Sequence, residues 1–281
     1  MKIAYCSDLH LEIGNIVLDN TENAKVLILA GDICTVNDLD AISNDKVGFF
    51  RSQRIHNFFS DCASKFETVI YIMGNHEHYN YGFNLTLNTL REKLGYIPNL
   101  QILDKEAVAI GDTTFICGTL WTDMNGDDPL TKEFMKTRMN DFRIIWKDGV
   151  RFTPNDAILE HRKMIKCIWD NVKDRSGSNK FVVVGHHSPS YLSVHEDYAE
   201  DKLMNGGYHS NLDQFIIDRP QIKVWIAGHT HSRHLYYIGD TLVAVNPRGY
   251  INYEKIADTF ELKYLDLDDL PSKNSDKLTQ K

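Results

Sequence analysis

Val26-Leu27-Ile28-Leu29-Ala30-Gly31-Asp32 is a run of five apolar residues, then a glycine, then a carboxylate. Five branched or small apolar residues without alternation predict a strand buried on both faces, as in a sheet packed between layers. The glycine permits a sharp turn at the strand's end and leaves Asp32 on that turn. The same order recurs along the chain. Ile3-Ala4-Tyr5-Cys6 leads to Asp8-Leu9-His10, and Val69-Ile70-Tyr71-Ile72-Met73 leads to Gly74-Asn75-His76-Glu77. Phe181-Val182-Val183-Val184 leads to Gly185-His186-His187, and Val224-Trp225-Ile226-Ala227 leads to Gly228-His229-Thr230-His231. Donor residues at the carboxyl ends of several strands of an α/β sheet converge on one crevice.

Between these strands the apolar spacing is helical. Asp45 to Phe66 aligns Phe49, Phe50, Ile55, Phe58, Phe59 and Cys62, and Asn84 to Leu94 aligns Leu85, Leu87, Leu90 and Leu94, so both predict helices covering a sheet. Gln101 to Leu103, Ala107 to Ile110 and Thr114 to Cys117, with a turn at Gly111-Asp112, predict an antiparallel stretch and a mixed sheet. From Trp121 to about Val172 the pattern becomes polar and helical, with a helix start at Thr153-Pro154. That segment, about 121–172, is expected to cap the site within a domain spanning 1–265. The polar residues 266–281 are expected to form a flexible tail.

The length of 281 residues suits one globular unit with an insertion. A formal net charge of -8 argues against stable binding of long nucleic acid, which needs a basic surface to displace counterions. No run approaches the roughly 18 apolar residues of a membrane span, and the chain enters its first strand without a cleavable leader, so a soluble, cytoplasmic protein is expected. The five cysteines are odd in number and lack CxxC spacing, which predicts buried free thiols that bind no metal.

Carboxylate, amide and imidazole donors together suit divalent transition ions, and two neighbouring ions repel unless a carboxylate lies between them. Asp32, central in the order of motifs, is the expected bridge. Asp8 and His10 are expected on one ion, His229 and His231 are divided between the two, and Asn75 and His186 complete the set. A hydroxide held between the ions is the expected nucleophile.

As an ordered set, Asp-x-His, Gly-Asp, Gly-Asn-His-Glu, Gly-His-His and Gly-His-Thr-His resemble the calcineurin-like metallophosphoesterase superfamily over residues 1 to about 250. The resemblance implies a four-layer α/β/β/α sandwich of two mixed sheets flanked by helices. It implies one metal on Asp8, His10, Asp32 and His231, and a second on Asp32, Asn75, His186 and His229. It makes His76 the residue that assists the leaving group or steadies the phosphoryl transition state. Manganese is the favoured ion, with iron, nickel or zinc as alternatives. The second motif reads Gly31-Asp32-Ile33-Cys34-Thr35, without the further Asp and the Arg-Gly of the protein-phosphatase branch. Leu120-Trp121-Thr122-Asp123, Met139-Asn140-Asp141-Phe142-Arg143 and Asn246-Pro247-Arg248-Gly249-Tyr250 look instead like small bacterial and phage phosphoesterases. The expected activity is hydrolysis of a small nucleotide-type phosphodiester. A phosphomonoesterase, a short-oligonucleotide nuclease and a non-catalytic metal-binding protein are the alternatives.

Arg143 and Arg248 are candidates to meet a phosphate oxygen or to form ordinary salt bridges, and His209 to face the pocket. Glu77 is expected to hold the Asn75-His76 loop by hydrogen bonds, and His187 either to support its neighbour or to pack. Trp121 and Phe142 are expected in the core of the cap. His56, His78, His161, His195 and His234 are expected at the surface or as caps.

Overall fold

The computed structural model describes all residues except 41–45, 174–179, 276, 277 and 279–281. Its strands are β1 (Lys2–Cys6), β2 (Val26–Ala30), β3 (Thr68–Ile72), β4 (Leu100–Leu103), β5 (Glu106–Ile110), β6 (Thr113–Cys117), β7 (Trp146–Lys147), β8 (Val150–Arg151), β9 (Lys180–Val184), β10 (Ile222–Ala227), β11 (His234–Ile238), β12 (Thr241–Val245) and β13 (Lys263–Asp266). One sheet has the order β13-β1-β2-β3-β4 and the other β11-β12-β10-β9-β6-β5, while β7 and β8 form a separate hairpin. Both large sheets are mixed: β13, β11 and β5 run antiparallel to their neighbours and the other pairs are parallel.

Alternate residues of each strand enter different layers, as the period of two requires. Ile3, Tyr5, Val26, Ile28, Ile70 and Ile72 of the first sheet meet Phe115, Val182, Val184, Val224 and Ile226 of the second in the central core. Their neighbours Ala4, Leu27, Leu29, Val69 and Tyr71 face outward onto Ile55, Phe58, Phe59 and Cys62 of α1 (Lys46–Lys65) and Leu90 and Leu94 of α2 (Phe83–Leu94). Four layers result, with helices outside both sheets. Asp45, expected in the first helix, lies outside the described residues.

The segment expected as a cap divides in two. After the single turn α3 (Met124–Asp127) come α4 (Pro129–Arg138), α5 (Asp141–Ile144), the β7–β8 hairpin and α6 (Pro154–Val172). Thr153 and Asp156 close a capping box at the start of α6, whose Met164, Ile168 and Val172 pack on Ile116, Val183 and Trp225 of the second sheet. This helix is a flanking layer, because its apolar stripe fits the sheet's outer face. The preceding residues form their own core, in which Trp121, Met135, Phe142 and Phe152 are buried together. At the far end, part of the expected flexible tail is fastened: the Tyr237 hydroxyl donates to the Pro271 carbonyl at 2.6 Å, and Lys273 pairs with Asp240 at 2.8 Å. Among the described residues no helix is long and apolar enough to cross a membrane. All five cysteines are free, and all but Cys167 are buried.

Candidate metal centre

The loops after β1, β2, β3, β9 and β10 place the motif residues at one end of the sandwich. Five of the seven proposed ligands have left-handed backbones: Asp8 (φ 53°), His10 (48°), Asp32 (54°), His229 (67°) and His231 (46°). That conformation costs an L-residue roughly 1–2 kcal/mol, and such strain gathers at functional sites. The ligand residues therefore make much of the turn themselves. Gly31 also turns left-handed (φ 85°), but Gly74 serves close approach: a Cβ there would lie 2.2 Å from Asp32 Oδ1 and 2.8 Å from His186 Cδ2.

Asp8, His10 and His231 form one group able to hold a cation. His231 Nε2 stands 3.3 Å from Asp8 Oδ1 and 3.3 Å from His10 Nε2. His10 Nδ1 lies 3.1 Å from Glu12 Oε1, and His231 Nδ1 lies 2.7 Å from Glu254 Oε2. An ionised carboxylate only accepts, so each Nδ1 carries a proton and, in a neutral ring, each Nε2 presents a lone pair. Two lone pairs and a carboxylate oxygen facing one another repel unless positive charge lies among them. Burial opposes charge on His231, yet its hydrogen bonds to Asp8 and Glu254 outweigh burial and push its pKa up to about 10. The pocket favours a cation.

Asp32, His186 and His229 form a second group. His186 Nδ1 donates to the Ala30 carbonyl at 2.8 Å, which leaves its Nε2 facing Asn75 Oδ1 at 3.2 Å and Asp32 Oδ2 at 3.3 Å. The Asn75 amide nitrogen donates to Asp141 Oδ1 and to the Tyr79 hydroxyl, so its oxygen is the atom turned to His186. His229 Nε2 is buried without a hydrogen-bond partner, and the His229 amide donates to both oxygens of Asp8 at 3.1 Å. Burial opposes charge on His186, yet Asp32 outweighs it and pushes its pKa up to about 9, so this pocket too favours a cation. Converging oxygen and imidazole donors fit divalent ions of the manganese-to-zinc series.

Glu77 belongs to neither group and fastens the loops. Its carboxylate accepts from the amides of Gly74 (2.6 Å), Ile33 (2.8 Å) and Asp32 (3.1 Å) and from the Tyr71 hydroxyl (2.8 Å). One buried side chain thus joins the β2 loop to the β3 loop.

His76 stands beside the cluster with its Nε2 3.9 Å from Asp32 Oδ2 and 3.1 Å from the Tyr250 hydroxyl. Burial favours its neutral form, but Asp32 and Glu12 prevail and raise its pKa above the usual value. His10, Glu12 and His76 also meet as a group, and there the Nδ1 atoms of both rings approach the same Glu12 oxygen.

The other candidates divide. Arg248 is buried, and its guanidinium donates to the carbonyls of Leu9, Gly14 and Asn15 at 3.2, 3.4 and 2.9 Å. Its loop clasps the first ligand loop, with Ser7 N donating to Asn246 O, Arg248 N to Ser7 O and Gly249 N to Asp8 O, each at 3.1 Å. His209 is buried beside Tyr191 with Nδ1 on the Asn205 carbonyl, while the adjacent Tyr208 stacks on His229 at 4.7 Å. The tyrosine, not the histidine, is the residue of that loop in contact with the cluster. Arg143 is exposed on α5, two residues after Asp141. His187 packs between Trp121 and His229, and burial together with the nearby His186 holds its pKa down to about 3. Trp121 and Phe142 are core residues. His78, His161 and His234, expected at the surface or as caps, are buried.

Sequence reasoning missed Glu12, Tyr79, Asp141, Tyr208, Tyr250 and Glu254. Glu12 had a signal, since Asp8, His10 and Glu12 alternate along one stretch.

Solved structures share this architecture. Phosphopantetheinyl hydrolase of Mycobacterium tuberculosis superposes with a TM-score of 0.62 over 96% of this chain and 98% of its own, at 14% identity. A dimetal phosphatase of Danio rerio gives 0.54 over 94% and 91%, at 11% identity. At such identities the likeness concerns the fold. In sequence, the uncharacterized protein L509 of Acanthamoeba polyphaga mimivirus is 25% identical over 289 residues, 95% of this chain and 97% of its own. Residues 1–233 match the family model described as calcineurin-like phosphoesterase. With that match spanning most of its length, the chain belongs to the calcineurin-like phosphoesterase family.

Proposed function

We propose that this family member is a dinuclear metal-dependent phosphodiesterase acting on small nucleotide-type diesters. Asp8, His10 and His231 would hold one ion, Asn75, His186 and His229 the other, and Asp32 both. When bound, the ions supply Lewis acidity toward phosphoryl oxygens and lower the pKa of a water. His76 would give the proton that the departing alkoxide needs.

The observation that carries the diester preference is electrostatic. Among the described residues the carboxylates of Asp8, Glu12, Asp32 and Glu254 form their ion pairs with histidines alone. The guanidinium of Arg248 is committed to backbone carbonyls. Tyr79, Tyr208 and Tyr250 stand around the cluster instead, ring to ring with His76, His229 and His10. A monoester dianion carries more charge than a diester and gains more from an arginine or lysine clamp. A diester monoanion asks for less. Manganese is the ion with which to load the protein.

The test compares bis-p-nitrophenyl phosphate, p-nitrophenyl phosphate, cyclic mononucleotides and short DNA on manganese-loaded protein. A diester kcat/KM about tenfold or more above that for the monoester is expected. The reverse order would assign the site to monoesters, and turnover of short DNA alone would make the protein a nuclease.

A further inference from the structure

We propose that Glu12 is the positioning residue for His76, fixing the rotation of its ring and tying it to the metal-ligand candidate His10. The proposal rests on the reading above, in which His76 delivers a proton. Glu12 Oε1 lies 3.1 Å from His10 Nδ1 and 3.2 Å from His76 Nδ1, on a side chain only 14% exposed. A carboxylate offers no proton, so both rings turn Nδ1–H toward it.

The rest of His76 is already held. Its backbone amide donates to Asp32 Oδ1 at 2.8 Å, and the rings of Tyr79 and His10 flank its own at 4.1 and 4.5 Å. Those contacts set the plane of the imidazole but not which edge faces the cluster. Glu12 decides the edge. With Nδ1–H bound to Glu12, Nε2 is turned to Asp32 and to the Tyr250 hydroxyl. Tyr250 partners the nitrogen that must meet the leaving oxygen.

In the step itself, a water oxygen bonds to phosphorus while the ester P–O bond breaks. The electron pair of that bond goes to the leaving oxygen, which takes the Nε2 proton; the water loses one proton to solvent. The ring ends neutral with Nδ1–H still on Glu12. A ring free to rotate spends part of its time with no proton in line, and losing an orienting partner of this kind typically lowers activity about 10–100-fold.

The experiment uses the full chain loaded with manganese, as wild type, Glu12→Ala, Glu12→Gln, His76→Ala and the Glu12→Ala/His76→Ala pair. Each is assayed on bis-p-nitrophenyl phosphate, whose leaving group departs without a proton, and on a dinucleoside monophosphate, whose alkoxide needs one. Metal content and melting temperature are measured alongside. For Glu12→Ala, kcat on the dinucleotide should fall about 10–100-fold while the nitrophenyl ester loses less than about threefold and metal content holds. Glu12→Gln, which keeps one acceptor oxygen, should recover part of the loss. In the His76→Ala background, removing Glu12 should add less than about threefold. Equal losses on both substrates, full additivity in the double variant, or loss of metal would overturn the proposal and make Glu12 a support for His10. If the wild type turns over only monoesters, the diester reading falls instead, and p-nitrophenyl phosphate against a nucleoside 5′-monophosphate carries the same comparison.

Discussion

Asp141 Oδ1 accepts from the Asn75 amide nitrogen at 2.9 Å and thereby decides which end of that amide faces His186. The Tyr79 hydroxyl, which accepts from the same nitrogen, is itself tied to Asp141 at 2.8 Å. The segment read as a cap therefore reaches into the proposed metal centre. Asp141→Ala should free the amide to present its NH2 group, weakening metal binding at the second site about 10–100-fold. Manganese titration monitored by calorimetry checks this; unchanged affinity would show that Tyr79 suffices.

Asp32 and His229 should differ in what their removal costs. With Asp32 proposed to serve both ions, Asp32→Ala should deplete metal at both sites, whereas His229→Ala should spare at least one. Elemental analysis of the purified variants decides the matter, and two full equivalents in Asp32→Ala protein would remove the bridging role.

Arg248 gives a case in which stability and substrate binding part company. Arg248→Ala strands the carbonyls of Leu9, Gly14 and Asn15 and should cost about 1–3 kcal/mol of stability. KM for a diester should stay within about twofold, because the guanidinium is committed to the backbone. A large rise in KM without lost stability would return Arg248 to the substrate.

Gly74→Ala tests the packing of the ligand loops. The new methyl would stand 2.7 Å from the Asp32 amide nitrogen as well as against Asp32 Oδ1, so the β2 and β3 loops must separate. Metal content should fall sharply, with a lower melting temperature, since Glu77 can no longer span both loops as it does now. Normal metal content would mean that the loops have room to spare.

The five central strands were legible because each is buried on both faces and therefore reads as an unbroken apolar run. β13 was not: as an edge strand, its Lys263-Tyr264-Leu265-Asp266 shows no such run. β11 and β12 did carry apolar residues on either side of Gly239-Asp240, a turn signal that went unread. At the site, the motif residues were recognisable by type and spacing. The roles of Asp141, Tyr250 and Glu254 were not, although two of them lie in segments that resemble other phosphoesterases, since a lone acid or tyrosine shows no partner until folding brings it to a ligand. Arg248 is the complementary case: sequence shows its charge but not the carbonyls that surround it.

The clasp of residues 246–249 over the Asp8 loop bears on the order in which the molecule can be made. Chains emerge from the ribosome at about 5–20 residues per second, so roughly ten to fifty seconds separate the appearance of the first ligand loop from that of its clasp. In that interval Asp8 and His10 wait without His229, His231 or Arg248. The proposed ions are therefore expected to enter only after these residues have emerged, and metal uptake during synthesis becomes a clock for the docking of residues 229–249 onto the strands made first.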